Sequence, residues 1–145
     1  MFHKIKDIQI APDYKLNVLF SEGQRKIYDI KKLASEHSIF SQLIDNEELF
    51  KSAKVDIGGY GIIWDDDLDL SCDEIWENGT KIDSPFDGLI ALRDATELWG
   101  LNESTLRRAI IYGKFIIGID VCKFGKQWVI SYESMKREYG EPKAG

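Results

Sequence analysis

The 145-residue sequence is poor in the residues that most metal, disulfide and membrane proteins depend on. Its two histidines, His3 and His37, exclude a His-rich metal cluster and make Ser-His-Asp chemistry hard to assemble. Its two cysteines, Cys72 and Cys122, lie far apart with no CxxC spacing. A disulfide is therefore not expected, and buried or half-buried thiols in a reducing cytoplasm are. No apolar run approaches the ~20 residues of a membrane span, so no membrane partner is expected. The start, MFHKIKDIQIAPDYK, alternates polar and apolar residues and lacks a continuous signal-peptide core.

Positive charge is outnumbered, with 19 Lys and Arg against 25 Asp and Glu, and it is unevenly placed. The formal net charge of −6 divides into −7 for residues 1–84 and +1 for residues 85–145. Residues 100–137 hold seven basic side chains (Arg107, Arg108, Lys114, Lys123, Lys126, Lys136, Arg137) against three acidic ones. A phosphate backbone would repel the acidic half and attract the local basic patch. The length suits one domain or two small ones, with the 43% hydrophobic and 30% charged content of an ordinary globular protein.

The richest stretch is Asp94 to Phe115, DATELWGLNESTLRRAIIYGKF. Ala95, Leu98 and Trp99 give a first short helix its apolar side, and Thr96 is small enough for close helix approach. Gly100 permits a sharp turn, and Asn102 is placed to cap a second helix with Glu103 in its first turn. Leu106, Ala109 and Ile110 form the buried stripe of that helix. At about 100° per residue, Ser104, Thr105, Arg108 and Tyr112 then face outward with Arg107 on the flank. Gly113 and Lys114 supply the stop and a C-terminal positive charge.

This pattern resembles the helix-turn-helix of bacterial regulators, with Thr96 at the small-residue position, Gly100 at the turn and Leu106 at the apolar position of the second helix. It departs at Ala91, where related sequences often begin the first helix with Ser or Thr. The resemblance implies that the second helix enters the major groove of double-stranded DNA, where base edges are distinguishable. The alternative is a helical hairpin that only packs or mediates a protein contact.

Downstream, FIIGIDVCKFGKQWVI places apolar runs at Phe115 to Ile117 and Trp128 to Ile130 around Phe124-Gly125-Lys126, a hairpin tip. Such a wing would carry Lys123 and Lys126 to phosphates beside the groove; alternatively it merely covers the helices. Ser131 reads as the N-cap of a last helix, Tyr132 to Tyr139, stopped by Gly140 and Pro142, with Tyr132, Met135 and Tyr139 on its core side. From Pro85 onward the chain resembles the compact winged helix-turn-helix of excisionase-type regulators.

The first 84 residues read as a small α+β module. Strands Ile5 to Ile10 and Leu16 to Phe20 flank the Pro12-Asp13-Tyr14 turn, and Ser21-Glu22-Gly23 leads into Gln24 to Ile30, completing a meander. Ser38 is placed to cap Ile39 to Ile44, and Asn46 to cap Glu47 to Ala53, with Phe40, Leu43, Leu49 and Phe50 in the core. Val55 to Ile57 and Gly61 to Trp64 form a hairpin around Gly58-Gly59-Tyr60. Leu68 and Leu70 continue the sheet, and Ser71 caps a short helix ending at Asn78-Gly79. The order of FSEGQRKIYDI, the ELF helix and GGYGIIWDDDLDL before a helix ending in ENG resembles a bacterial family classed only as a domain of unknown function. That resemblance covers residues 3–79 and implies a regulator or antitoxin-like role.

Catalysis is not expected. Asp65, Asp67 and Asp69 alternate, but a calcium loop needs glycine and glutamate where Leu70 and Trp76 stand, so a solvated turn is the better reading. Gly58 to Gly61 lacks the Lys-Ser/Thr ending and following helix of a phosphate loop. Neither cysteine has an evident activating base, and His37 reads as a surface residue. No catalytic residue, metal ligand or cofactor is predicted.

The sequence thus predicts an α+β chain with a small N-terminal antiparallel sheet and short helices over residues 1–80. A linker follows at 81–88, and a winged helix-turn-helix over 89–145. The candidate DNA contacts are Ser104, Thr105, Arg107, Arg108, Tyr112, Lys114, Lys123 and Lys126. Two readings follow: a sequence-specific, homodimeric transcriptional regulator, autoregulating and antitoxin-like, or an acidic interaction module that neutralises a basic, toxin-like protein with little DNA binding.

Overall fold

A computed structural model describes residues 2–143. The chain divides into two compact units, Met1–Pro85 and Phe86–Gly145.

The first unit begins with a meander of β1 (Ile5–Ala11), β2 (Lys15–Phe20) and β3 (Arg25–Asp29). Strict alternation makes β2 its centre: Leu16, Val18 and Phe20 are fully buried, while Lys15, Asn17 and Leu19 are only half-buried. Residues 24–29 leave the sheet earlier than expected. Ile30 is not a strand residue but the first residue of helix α1 (Ile30–Glu36), because the Asp29 carboxylate accepts hydrogen bonds from the Lys31 and Lys32 backbone N–H groups. Nor does Ser38 cap a helix. It opens a 3₁₀ turn, Ser38–Phe40, that leads into α2 (Ser41–Asp45). Asn46 caps α3 (Glu47–Lys51), accepting from Leu49 N–H at 3.2 Å.

A second sheet, in order β4-β5-β6, is built from β4 (Lys54–Val55), β5 (Gly61–Asp65) and β6 (Leu68–Ser71). Asp65 folds over its own turn, accepting from the Asp67 and Leu68 N–H groups at 2.9 Å each, so it serves as a turn former. Ser71 caps α4 (Cys72–Asn78) through Glu74 N–H at 3.1 Å. The Tyr28 hydroxyl donates to Glu74 at 2.8 Å and ties that helix to β3; burial, then the Glu74 carboxylate, pushes the phenol pKa up.

The proposed linker at 81–88 is a partial misreading. Thr80–Lys81 is a strand, β7, that pairs antiparallel with β3 and makes the first sheet four-stranded, and Ile82 N–H donates to Arg25 at 3.0 Å. At the other end of that segment, Gly88 accepts from Tyr132 N–H at 2.8 Å and so belongs to the second unit.

The second unit contains β8 (Leu89–Ala91), α5 (Leu92–Trp99), α6 (Glu103–Ile111), β9 (Val121–Phe124), β10 (Gln127–Ser131) and α7 (Tyr132–Tyr139). Its sheet has the order β8-β10-β9. Leu92, Ala95 and Trp99 from α5 meet Leu106 and Ile110 from α6, Ile130 from β10, and Tyr132 and Met135 from α7. The Trp99 indole N–H donates to the Gly140 carbonyl at 2.8 Å, which satisfies the one polar atom of this otherwise buried ring. The chain is therefore α+β, an antiparallel N-terminal module with short helices followed by a helix-turn-helix unit.

Candidate nucleic-acid interface

The turn between α5 and α6 follows from one residue. Gly100 lies in the left-handed region (φ 64°, ψ 37°), and both its N–H and that of Leu101 donate to the Thr96 carbonyl. Asn102 then takes extended geometry as the N-cap of α6, but its side chain makes no capping bond there; its backbone carbonyl accepts from Thr105 N–H at 3.0 Å instead. The far end closes as a Schellman motif. Gly113 (φ 83°) donates to the Ile110 carbonyl, and Lys114 N–H donates to Ala109 at 2.9 Å.

Between these ends α6 has two distinct faces. Leu106 and Ile110 are buried; Ser104, Arg107 and Arg108 are exposed, with Tyr112 81% exposed just past the last turn. Thr105 sits at the edge of this face, half-buried rather than outward. Arg107 lies 3.5 Å from Glu103 one turn earlier, and Arg108 Nε reaches back to the Ser104 carbonyl at 3.4 Å. Both contacts are solvent-facing and weak, so the guanidinium groups remain available to a phosphate or base edge. Ile111 is a member of this face that the sequence pattern missed, at 77% exposure.

The β9–β10 hairpin turns through two residues, Gly125 and Lys126, with Phe124 opposite Gln127. Gly125 has φ 61°, the sign that the first position of a type II′ turn requires. Lys123 and Lys126 are both exposed, and Lys123 stands over the Trp128 ring at 5.5 Å. Lys114, also exposed, lies over the Tyr139 ring at 4.5 Å.

The segment before the hairpin differs from expectation. Phe115 to Ile117 is not a strand; only an isolated bridge links Ile117 to Val121. The organiser is Asp120, which is 4% exposed. Its carboxylate accepts from Ile116 N–H at 2.8 Å, from the Ser134 hydroxyl at 2.7 Å, and from both Arg137 terminal nitrogens at 3.0 and 3.2 Å. The Arg137 guanidinium, then Ile116 N–H and Ser134, hold its pKa well below the usual carboxylate range. Arg137 also bonds Glu138 at 2.8 Å, so this cation belongs to the scaffold rather than to the basic patch in which its charge was counted. An acid placed inside FIIGIDVC was the available signal, since a carboxylate in an apolar run needs a partner.

Cys72 and Cys122 are free thiols, and burial raises the Cys72 pKa, the wrong direction for a nucleophile. Among the described residues, no group of three or more His, Cys, Asp and Glu side chains is placed to hold a metal ion, and no helix is long and apolar enough to cross a membrane.

Residues 5–81 match the family described as Protein of unknown function (DUF2442), more than half of the chain. The chain belongs to that family. Residues 82–144 match a model described as a Helix-turn-helix domain, and the α5–turn–α6 geometry falls within that match. A helix-turn-helix unit indicates DNA binding. No curated protein and no solved structure matches the chain.

Proposed function

We propose that this protein is a sequence-specific DNA-binding transcriptional regulator. The observation that carries the reading is the α6 face: two arginines and a serine hydroxyl exposed on one side of a helix whose opposite side is anchored in a core. In this reading α6 enters the major groove, Arg107, Arg108 and Ser104 contact bases or phosphates, and Thr105 and Tyr112 border the contact. The β9–β10 hairpin acts as a wing, with Lys123 and Lys126 on phosphates and Lys114 beside them. Because one small module reads few base pairs, two copies bind together on a two-fold operator. The first unit, with its net charge of −7, is kept off the phosphates and is the part that senses, dimerises or captures a basic partner, as an autoregulating antitoxin does.

The test is an anisotropy titration of the full chain against the duplex upstream of its own gene. Salt-sensitive binding is expected, since each phosphate contact releases counterions. Arg108→Ala is expected to cost about 1–3 kcal/mol if the side chain reads a base. Unchanged affinity in an Arg107→Ala/Arg108→Ala variant with native circular dichroism would sink the assignment. Copurification of a basic protein with no DNA affinity would favour the interaction module instead.

A further inference from the structure

Ile111 is anomalous. It is an isoleucine in the last turn of a regular helix, 77% exposed, although the same helix buries Leu106 and Ile110. At 100° per residue it lies on the stripe of Ser104, one turn beyond Arg107 and opposite the buried side. Ser104 and Ile111 therefore form the midline of the exposed face, with Arg107 on one flank and Arg108 on the other. A β-branched residue at an exposed helical position has poorer helix propensity than Ala, Lys or Glu there, so helix formation does not account for it.

The surroundings narrow what meets this side chain. Its helical neighbours on the face are two guanidinium groups and a hydroxyl, and Lys114 follows beyond the cap, with Tyr112, Ile116, Ile117 and Ile119 also exposed after the helix. A protein partner covering Ile111 would also have to desolvate these cations. A DNA major groove has the opposite arrangement. Phosphates and guanine edges meet the arginines, and between them the one apolar group a base pair presents is the 5-methyl of thymine.

We propose that Ile111 is a specificity-determining residue that reads a pyrimidine 5-methyl group in the major groove by apolar contact. This rests on the DNA-binding reading of α6 and goes beyond it by naming the recognised chemical group. Ile111 contacts a thymine about one α-helical turn along the groove from the bases reached by Arg107 and Arg108.

The probe is a duplex enriched by the full-length protein from a randomised 20-base-pair pool, and binding is read by anisotropy. Each thymine in the enriched duplex is replaced in turn by deoxyuridine, which differs only by lacking the 5-methyl group. At one thymine per half-site the parent protein is expected to lose about 3- to 5-fold in affinity, the order expected for withdrawing one methyl from an apolar contact. Ile111→Ala is expected to lose a similar factor on the thymine duplex and nothing further on the uracil duplex. Its salt dependence should stay that of the parent, since no phosphate contact is lost. Its high exposure keeps the core intact, and an unchanged melting temperature checks this.

Two results overturn the inference alone: a duplex that is enriched but tolerates uracil at every position, or a uracil penalty that persists in full in Ile111→Ala. Failure to enrich any duplex overturns the DNA-binding reading itself, and this inference with it.

Discussion

Asp120 ties two segments of the second unit together through one buried carboxylate. Its carboxylate joins the loop after α6, through Ile116 N–H, to α7, through Ser134 and Arg137. Asp120→Ala leaves the Ile116 N–H and the buried Ser134 hydroxyl without their acceptor and strips the half-exposed Arg137 of one of its two carboxylate partners, so a loss of about 2–4 kcal/mol is expected in urea denaturation. Asp120→Asn keeps the shape and one acceptor oxygen and should cost less. The pH dependence has a definite sign. Because the folded pKa lies below the unfolded value, the stabilisation is fully present above about pH 5 and is lost as the pH falls into the strongly acidic range. The Asp120→Asn variant should therefore show a flatter acid limb than the parent, and an identical limb would remove Asp120 from the acid-sensitive groups.

The helical turn and the hairpin can be tested as elements. Gly100 is in the left-handed region, and a Cβ added there would meet only Lys143 Cδ at 3.8 Å, so space is not the obstacle. Gly100→Ala should then cost only the conformational penalty, about 1–2 kcal/mol, with DNA affinity retained in the folded fraction. A far larger loss would mean that the turn is held by something other than backbone geometry. At the hairpin, Lys126→Ala is expected to leave stability unchanged, since its side chain is exposed, and to lower the salt slope of DNA binding by about one phosphate contact. An unchanged slope would reduce the hairpin to a cover for the helices.

Elements also differ in how readable they were. The α6 stripe, the Ser131 cap and the Gly125 tip each depend on residues within one or two turns of chain, and the pattern locates them. Helix α1 was obscured because Ile27-Tyr28-Asp29-Ile30 alternates like a strand, although Asp29 followed by Ile-Lys-Lys-Leu was a capping signal. Strand β7 has two residues and no period of its own; only its pairing with Lys26 and Ile27 defines it.

Among the described residues, burial falls into two clusters that share no residue. One is centred on Leu16, Phe20, Ile62 and Ile75, the other on Trp99, Leu106, Phe115 and Ile130. Residues 86–143 expressed alone are therefore expected to keep their helical circular dichroism and melt cooperatively, at a modest temperature because a domain of about 60 residues buries little surface. A fragment with no cooperative transition would show that its core depends on residues of the first unit. The acidic first unit adds a second expectation. Removing its −7 should strengthen nonspecific binding to DNA at low salt, and the gain should vanish as salt rises.

The two-part organisation, the charge asymmetry and the buried stripe of α6 were legible in the order of residues, because periodicity and glycine turns act between near neighbours. The folded chain alone decided that Arg137 serves Asp120 rather than the basic patch, that Thr80–Lys81 closes a sheet, and that Ile111 stands exposed amid the cations. Each of these depends on which distant segment lies alongside, or on what leaves a side chain uncovered. Those are consequences of packing, and local sequence chemistry does not contain them.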